Sequence, residues 1–308
     1  MAHKVGIIGI GAVGASVAIS TLHSGAADEL WLHDLDASRA EGEAMDLAHG
    51  AWFYPTCKLR IADPDAMRGA QVVVVAAGRG SRPDETRLDL LRDNARVARD
   101  IGRMLTGFAG TVVVVSNPVD VLVQVLVEAS GLPPQRVLGT GTMLDTSRLR
   151  QLLGQKLKLS PDSVHAQVVG EHGDSAVPLW SSADVGGVAL RDWRGWRRAH
   201  EAKLAVQVRR AAYEVIQRKG YTNHAIGLVT ARLLRCLQRG EQRVLTVSRL
   251  QDGAAGLRDV ALSLPTVVDR LGGAHVLVPA MDEAEQTALA RSAQVLRDVR
   301  ASIGAIDK

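Results

Sequence analysis

The chain has 308 residues, enough to bury a large core as two domains or one large α/β unit. Hydrophobic residues make up 46% and charged residues 23%, which excludes a disordered or fibrous class. A formal charge of +4 raises the question of a nucleic-acid partner, while two isolated cysteines, Cys57 and Cys236, exclude a disulfide framework or a zinc spacing.

KVGIIGI (4–10) reads as a buried strand, 12–24 as a helix, and ELWLHD (29–34) as the next strand. Then come AQVVVVAAG (70–78), a helix over 88–105, GTVVVVSNP (110–118), a helix over 121–129, and RVLGTGT (136–142). Continuous apolar strands between helices predict a parallel sheet covered on both faces. After residue 142 the texture changes. A helix at MLDTSRLRQLLGQKL leads to strands at 164–169 and 186–190, helices at 201–218 and 222–238, strands RVLTVSRL and DVALSLP, and a last helix over 282–301. This divides the chain into residues 1–142 and 143–308, the second a mixed α+β domain. The basic stretch RDWRGWRRAHEAK (191–203) reads as a solvated helix start anchored by Trp193 and Trp196, with no nucleic-acid partner expected. No run of 18 apolar residues occurs, and the first residues follow a strand pattern rather than that of a secretory leader, so the expected location is the cytoplasm, away from membranes.

GIGAVG (9–14) follows a strand and opens a helix. Its glycines allow a tight turn, close approach of a pyrophosphate and helix packing, and the helix N-terminus attracts phosphates. Asp34 lies twenty residues beyond Gly14, at the end of the second strand, where a carboxylate accepts from a ribose and repels a 2′-phosphate. The expected cofactor is therefore NAD, with no metal.

Four further stretches carry candidate chemistry: RPDETRLDLLRDN (82–94), SNPVD (116–120), TMLDTSRLR (142–150) and GEHGDS (170–175). His172 suits proton transfer near neutrality, because an unperturbed imidazole titrates at about 6.5. Asp145 and Arg148 share one helix face at a spacing of three residues.

With KGYTNHAIG (219–227) and VALSLP (260–265), these motifs resemble the NAD-dependent L-lactate and malate dehydrogenases over essentially the whole chain. The resemblance implies a Rossmann-type doubly wound sheet followed by an α+β catalytic domain. It also implies a reaction in which hydride moves between nicotinamide and a 2-keto or 2-hydroxy acid while His172 moves the proton. On the same ground Asp145 steadies His172, Arg148 grips the substrate carboxylate, and Arg87 closes over the site on a loop and polarises the ketone. Asn117, Thr222, Ser81 and Arg82 belong to the substrate pocket, while Gly9, Gly11, Val13, Gly14, Asp34, Gly78 and Asn117 belong to the cofactor.

Ser81 stands where lactate enzymes of the family carry Gln and malate enzymes Arg. Glu85, the ETRLDLL wording and GYTNHAIG follow the lactate branch, so pyruvate is the expected substrate, with a malate or broad 2-hydroxy-acid dehydrogenase as the alternative. Arg150 and His165 match a basic pair that binds fructose 1,6-bisphosphate between subunits, and ordinary surface charge is the other reading of the two. A homodimer or homotetramer is expected. A non-catalytic NAD-binding protein would not need His172, Asp145, Arg148 and Arg87 together.

Overall fold

The computed structural model describes residues 2–80 and 86–304, and for Arg87 its backbone. The chain opens with alternating strands and helices: β1 (Lys4–Ile8), α1 (Ala12–Ser24), β2 (Glu29–His33), α2 (Ala37–His49), β3 (Lys58–Ile61), β4 (Val72–Val75), α3 (Arg87–Met104), β5 (Thr111–Val114), α4 (Val119–Ser130) and β6 (Val137–Gly139). It continues with α5 (Met143–Leu157), β7 (Val164–Val169), β8 (Val177–Val185), β9 (Val188–Ala189), α6 (Ala199–Lys219) and α7 (His224–Arg239). The last elements are β10 (Arg243–Asp252), β11 (Arg258–Asp269), β12 (Gly272–Val276) and α8 (Glu283–Gly304).

β4 and β5 are buried at every position, as strands covered on both faces by helices must be. They sit in a parallel sheet of order β3-β2-β1-β4-β5-β6, a doubly wound arrangement whose order reverses between β1 and β4. Ligands bind outside the carboxyl ends of strands at such a reversal. β10 then adds antiparallel to β6, pairing Ser248 with Gly139, and β11 and β12 extend the same sheet. The first and second halves of the chain therefore share one sheet. β7, β8 and β9 form a separate antiparallel sheet, stitched to the large one where Gly170 and Ser263 exchange both backbone hydrogen bonds.

The apolar core lies on both faces of the large sheet, with a further cluster where α5, β7, β8 and α6 meet. Trp193 and Trp196 pack against that cluster, as the basic stretch suggests, and Arg191 ion-pairs with Glu201 at 3.0 Å and Asp282 at 2.8 Å. Among the described residues no helix is long and apolar enough to cross a membrane.

The predicted strand at 186–190 is mostly a turn. Gly186 and Gly187 adopt left-handed φ values of 58° and 86°, so they close a hairpin between β8 and the two-residue β9. α2, β3, β8 and β12 were not anticipated from the sequence.

Candidate active site

Many of the candidate side chains collect where chain segments leave the carboxyl ends of the parallel strands. β1 runs into the glycine turn, β2 into Asp34, β4 into Gly78, β5 into the 116–120 segment and β6 into the start of α5. A cleft of about 800 Å³ opens there, lined by Gly9, Gly11, Asp34, Gly78 and Arg79 among others. Gly9 has φ +91°, and a Cβ on it would lie 2.5 Å from the Ala77 backbone, so the turn admits no side chain. Gly11 is the N-cap of α1 without a side-chain cap, and a Cβ there would meet nothing within 4 Å. The space over the start of the helix is thus open to a phosphate. Gly14 is a packing position, since its Cβ would fall 2.0 Å from the Gly9 carbonyl oxygen. Val13 is half-buried against the core beside the sheet rather than lining the cleft. These residues fit a dinucleotide.

Asp34 is already partly engaged. Its carboxylate accepts the Ile10 N–H at 2.8 Å and the Asp36 N–H at 3.0 Å, fixing the acid at the rim of the cleft with further lone pairs available to a ribose. Asn94, which the motif reading passed over, ties the cleft wall together. Its side chain accepts from Arg79 N at 3.0 Å and donates to the carbonyl of Asn117 at 2.9 Å. Asn117 itself is exposed at the mouth of α4.

His172 follows the Gly170–Ser263 bridge, which carries its loop onto the large sheet. Its Nδ1 lies 2.5 Å from Asp145 Oδ2, and Asp145 Oδ1 accepts from Arg148 Nη1 at 2.9 Å. Asp145 and Arg148, three residues apart on one face of α5, are spaced to pair as ions. In the structure the pair forms, and the same carboxylate also reaches the histidine. Asp145 is buried, while His172 and Arg148 are partly accessible. Burial alone would raise the Asp145 carboxyl, but the charges and hydrogen bonds of His172 and Arg148 overcome it and hold it below the usual range. Burial alone would lower the imidazole. The charge and hydrogen bond of Asp145, helped by the charge of Asp120, prevail and raise it above 6.5.

The loop around His172 is held by groups the motif reading did not assign. Glu171 N donates to Ser292 Oγ of α8 at 2.8 Å, and Ser175 donates to the Glu171 carboxylate through both its N–H and its hydroxyl. His172 N donates to Asp120 Oδ2 at 2.7 Å. The SNPVD wording contained Asp120, but only the tertiary fold brings it across 52 residues to the histidine.

Other predicted residues stand apart from this cluster. Thr222 is half-buried between α6 and α7, and among the described residues its side chain makes no hydrogen bond to the dyad. Arg150 donates from Nε to the Ala166 carbonyl at 2.9 Å, next along β7 from the exposed His165, which is paired in register with Asp184. Ser81, Arg82 and Glu85 lie outside the described residues, and of Arg87 only the backbone, at the start of α3, is described.

A dinucleotide cleft beside a histidine–aspartate pair and a neighbouring arginine is the layout of an NAD-dependent dehydrogenase. Comparison with known proteins gives the particular family. Residues 3–139 match the model for the lactate/malate dehydrogenase NAD binding domain, and residues 142–305 that for the lactate/malate dehydrogenase alpha/beta C-terminal domain. The chain is 45% identical over 308 residues to an L-lactate dehydrogenase of Salinibacter ruber, covering 98% of each chain. It is 44% identical to one of Thermus aquaticus, covering 98% of this chain and 99% of that one. A crystal structure of the minor L-lactate dehydrogenase of Enterococcus mundtii superposes with a TM-score of 0.95 at 37% identity over 98% of both chains. The chain belongs to the lactate/malate dehydrogenase family, and its cofactor is NAD.

Proposed function

We propose that the chain is an L-lactate dehydrogenase that interconverts pyruvate and L-lactate. The observation that carries the reading is the single carboxylate of Asp145, bonded at once to His172 Nδ1 and to Arg148. An ionised carboxylate only accepts, so Nδ1 keeps its hydrogen and Nε2 is left to carry the exchangeable proton. Bound NAD supplies or takes up a hydride at its nicotinamide. His172 gives its Nε2 proton to the carbonyl oxygen of pyruvate in reduction, and takes it from the hydroxyl of lactate in oxidation. Pairing with Asp145 occupies one corner of the Arg148 guanidinium and orients the rest of it toward a substrate carboxylate. Arg87 stabilises the negative charge that develops on the substrate oxygen. Asn117, Thr222, Ser81 and Arg82 complete the pocket. Gly9, Gly11, Asp34 and Gly78 hold the dinucleotide, with Gly14 and Val13 packing behind it. In this division residues 1–142 bind the cofactor and lend Ser81, Arg82, Arg87 and Asn117 to the pocket, and residues 143–308 form the catalytic domain with His172, Asp145, Arg148 and Thr222.

Ser81 offers no cation for a second carboxylate. Arg79, a candidate for that task, has its guanidinium on Asp93 at 2.8 Å, which favours pyruvate over oxaloacetate. Steady-state assays on pyruvate, oxaloacetate and 2-ketoisocaproate under one condition test this. The expected kcat/KM for pyruvate is higher by about tenfold or more, and a preference for oxaloacetate overturns the reading in favour of a malate dehydrogenase. His172→Gln is expected to bind NADH normally and to lose turnover by roughly a thousandfold. We further propose a cytoplasmic homodimer or homotetramer in which Arg150 and His165 bind fructose 1,6-bisphosphate. Light scattering and pyruvate KM measured with and without the sugar diphosphate test the assembly and the effector, and no change in either removes the effector.

A further inference from the structure

Asp120 occupies the first turn of α4 and is 2% exposed, among the most deeply buried charged side chains described. One oxygen accepts the His172 backbone N–H at 2.7 Å. The other oxygen, Oδ1, and the hydroxyl of Ser248 on β10 are both buried; the hydroxyl acts on the carboxylate without completing a well-formed hydrogen bond, and among the described residues neither has another partner. A buried carboxylate whose second oxygen lacks a well-formed hydrogen bond is costly, and such groups persist where their charge is used. An asparagine would keep an acceptor for that N–H without burying a charge. The arrangement therefore asks what the charge acts upon, and a titrating group within its reach is the imidazole of His172, the residue whose backbone N–H Asp120 holds.

Resting on the dehydrogenase reading above, we infer that Asp120 is a positioning residue for His172, pinning the loop through the backbone N–H and laying a second buried negative charge beneath the imidazole. Two aspartates then divide the task of supporting one histidine. Asp145 orients the ring through Nδ1, and Asp120 orients the main chain that carries the ring. Among the described residues the charged groups that act on His172 or its carboxylates are Asp145 and Arg148 from α5, Asp120 from α4 and Glu171 from its own loop. With the imidazole protonated, the cluster of His172, Arg148, Asp145 and Asp120 is neutral. Without Asp120 the same cluster would carry an unbalanced positive charge and release the proton more readily. Burial pushes the Asp120 carboxyl up to about 6, opposed by the nearby Ser248 hydroxyl and by the N–H and charge of His172. It is thus ionised across the range above 6.5 where the imidazole titrates.

Asp120→Asn separates this role from plain packing, because the amide keeps the shape and can still accept the His172 N–H while losing the charge. Two readouts are taken on the full-length enzyme saturated with NADH. The first is the titration of the His172 ring by NMR on histidine-labelled protein, with the resonance assigned from its absence in His172→Gln. The second is the pH profile of kcat/KM for pyruvate. In the variant both the ring titration and the alkaline limb of the profile are expected about one pH unit lower than in the wild type, with activity at low pH within a few-fold. An unchanged titration and limb would overturn the inference and leave the dehydrogenase reading intact. Failure of the wild type to reduce pyruvate would sink that reading, while the NMR titration would still decide the role of Asp120. Asp120→Ala, which removes the acceptor as well, is expected to lower kcat at every pH, and normal turnover in it would overturn the pinning of the loop.

Discussion

Asp145 and Asp120 both hydrogen-bond to His172, yet they hold their protons in opposite ways. Asp145 meets two cationic partners and is kept ionised, whereas Asp120 receives one backbone N–H and is pushed up by burial. The same pairing sets the pH window of the dyad's contribution to stability. Asp145 is lowered, so its contribution is present above 3.8 and is lost as pH falls through its folded value. His172 is raised, so its contribution is full below 6.5 and is lost as pH rises through its folded value. The dyad therefore supports the fold most between those two values. With His172 as the proposed proton carrier the sign for catalysis is equally definite: pyruvate reduction is expected to decline as pH rises through the raised pKa, and lactate oxidation to rise through it. Asp145→Asn removes the charge and weakens the hold on the ring. Its alkaline limb for pyruvate reduction is expected to fall by about one pH unit or more, with kcat reduced at all pH values by roughly a hundredfold. A pH series of kcat/KM measured beside the wild type checks this, and an unmoved limb would show that Asp145 does not set the proton affinity of His172.

The β1–α1 turn is the element where sequence and structure agree most closely, because its constraints are local. The predicted span of α1 coincides with Ala12–Ser24, and the αL glycine at residue 25, with φ 60°, ends it. Gly14 lies so close to the Gly9 carbonyl that any Cβ needs backbone movement. Gly14→Ala is therefore expected to weaken NADH binding by tenfold or more and to lower Tm by several degrees, through displacement of the turn rather than loss of a contact. Fluorescence titration of NADH and a thermal melt read the two effects, and unchanged affinity would refute this account of the turn. Elements whose stability comes from elsewhere were harder to see. α2 is largely exposed and weakly apolar, β3 is a four-residue edge strand, and β12 begins with two glycines. β8 carries Pro178 and the polar run of Ser181 and Ser182, which hide its pattern. The candidate site divides in the same way. His172, Asp145 and Arg148 were legible because their residue types announce their chemistry at characteristic spacings. Asp120, Asn94 and Ser292 act by holding backbone across long separations, and no local pattern marks that.

The shared sheet ties the two halves of the molecule together physically, even where their chemical tasks divide. β6, with residues Val137–Gly139, is an interior strand only because β10 from the second half pairs with it. α4 is buried along most of its length, and part of its cover comes from β10, β11 and α8, all beyond residue 142. Cutting the chain after residue 142 would leave β6 as an unpaired edge and bare an apolar helix face, two features that promote association between chains. A fragment of residues 1–142 is accordingly expected to aggregate or remain partly unfolded and to bind NADH poorly, despite holding the whole glycine turn and Asp34. The intact chain is expected to lose its structure in one cooperative step. Tryptophans lie in both halves, at Trp31 and Trp52 and at Trp180, Trp193 and Trp196, so fluorescence samples both while far-UV circular dichroism follows the helices. Coincident denaturation curves from the two probes agree with a single cooperative unit. Two separated transitions, or a monomeric fragment that binds NADH as tightly as the full chain, would show that the cofactor half stands without the strands that β10 to β12 add to its sheet.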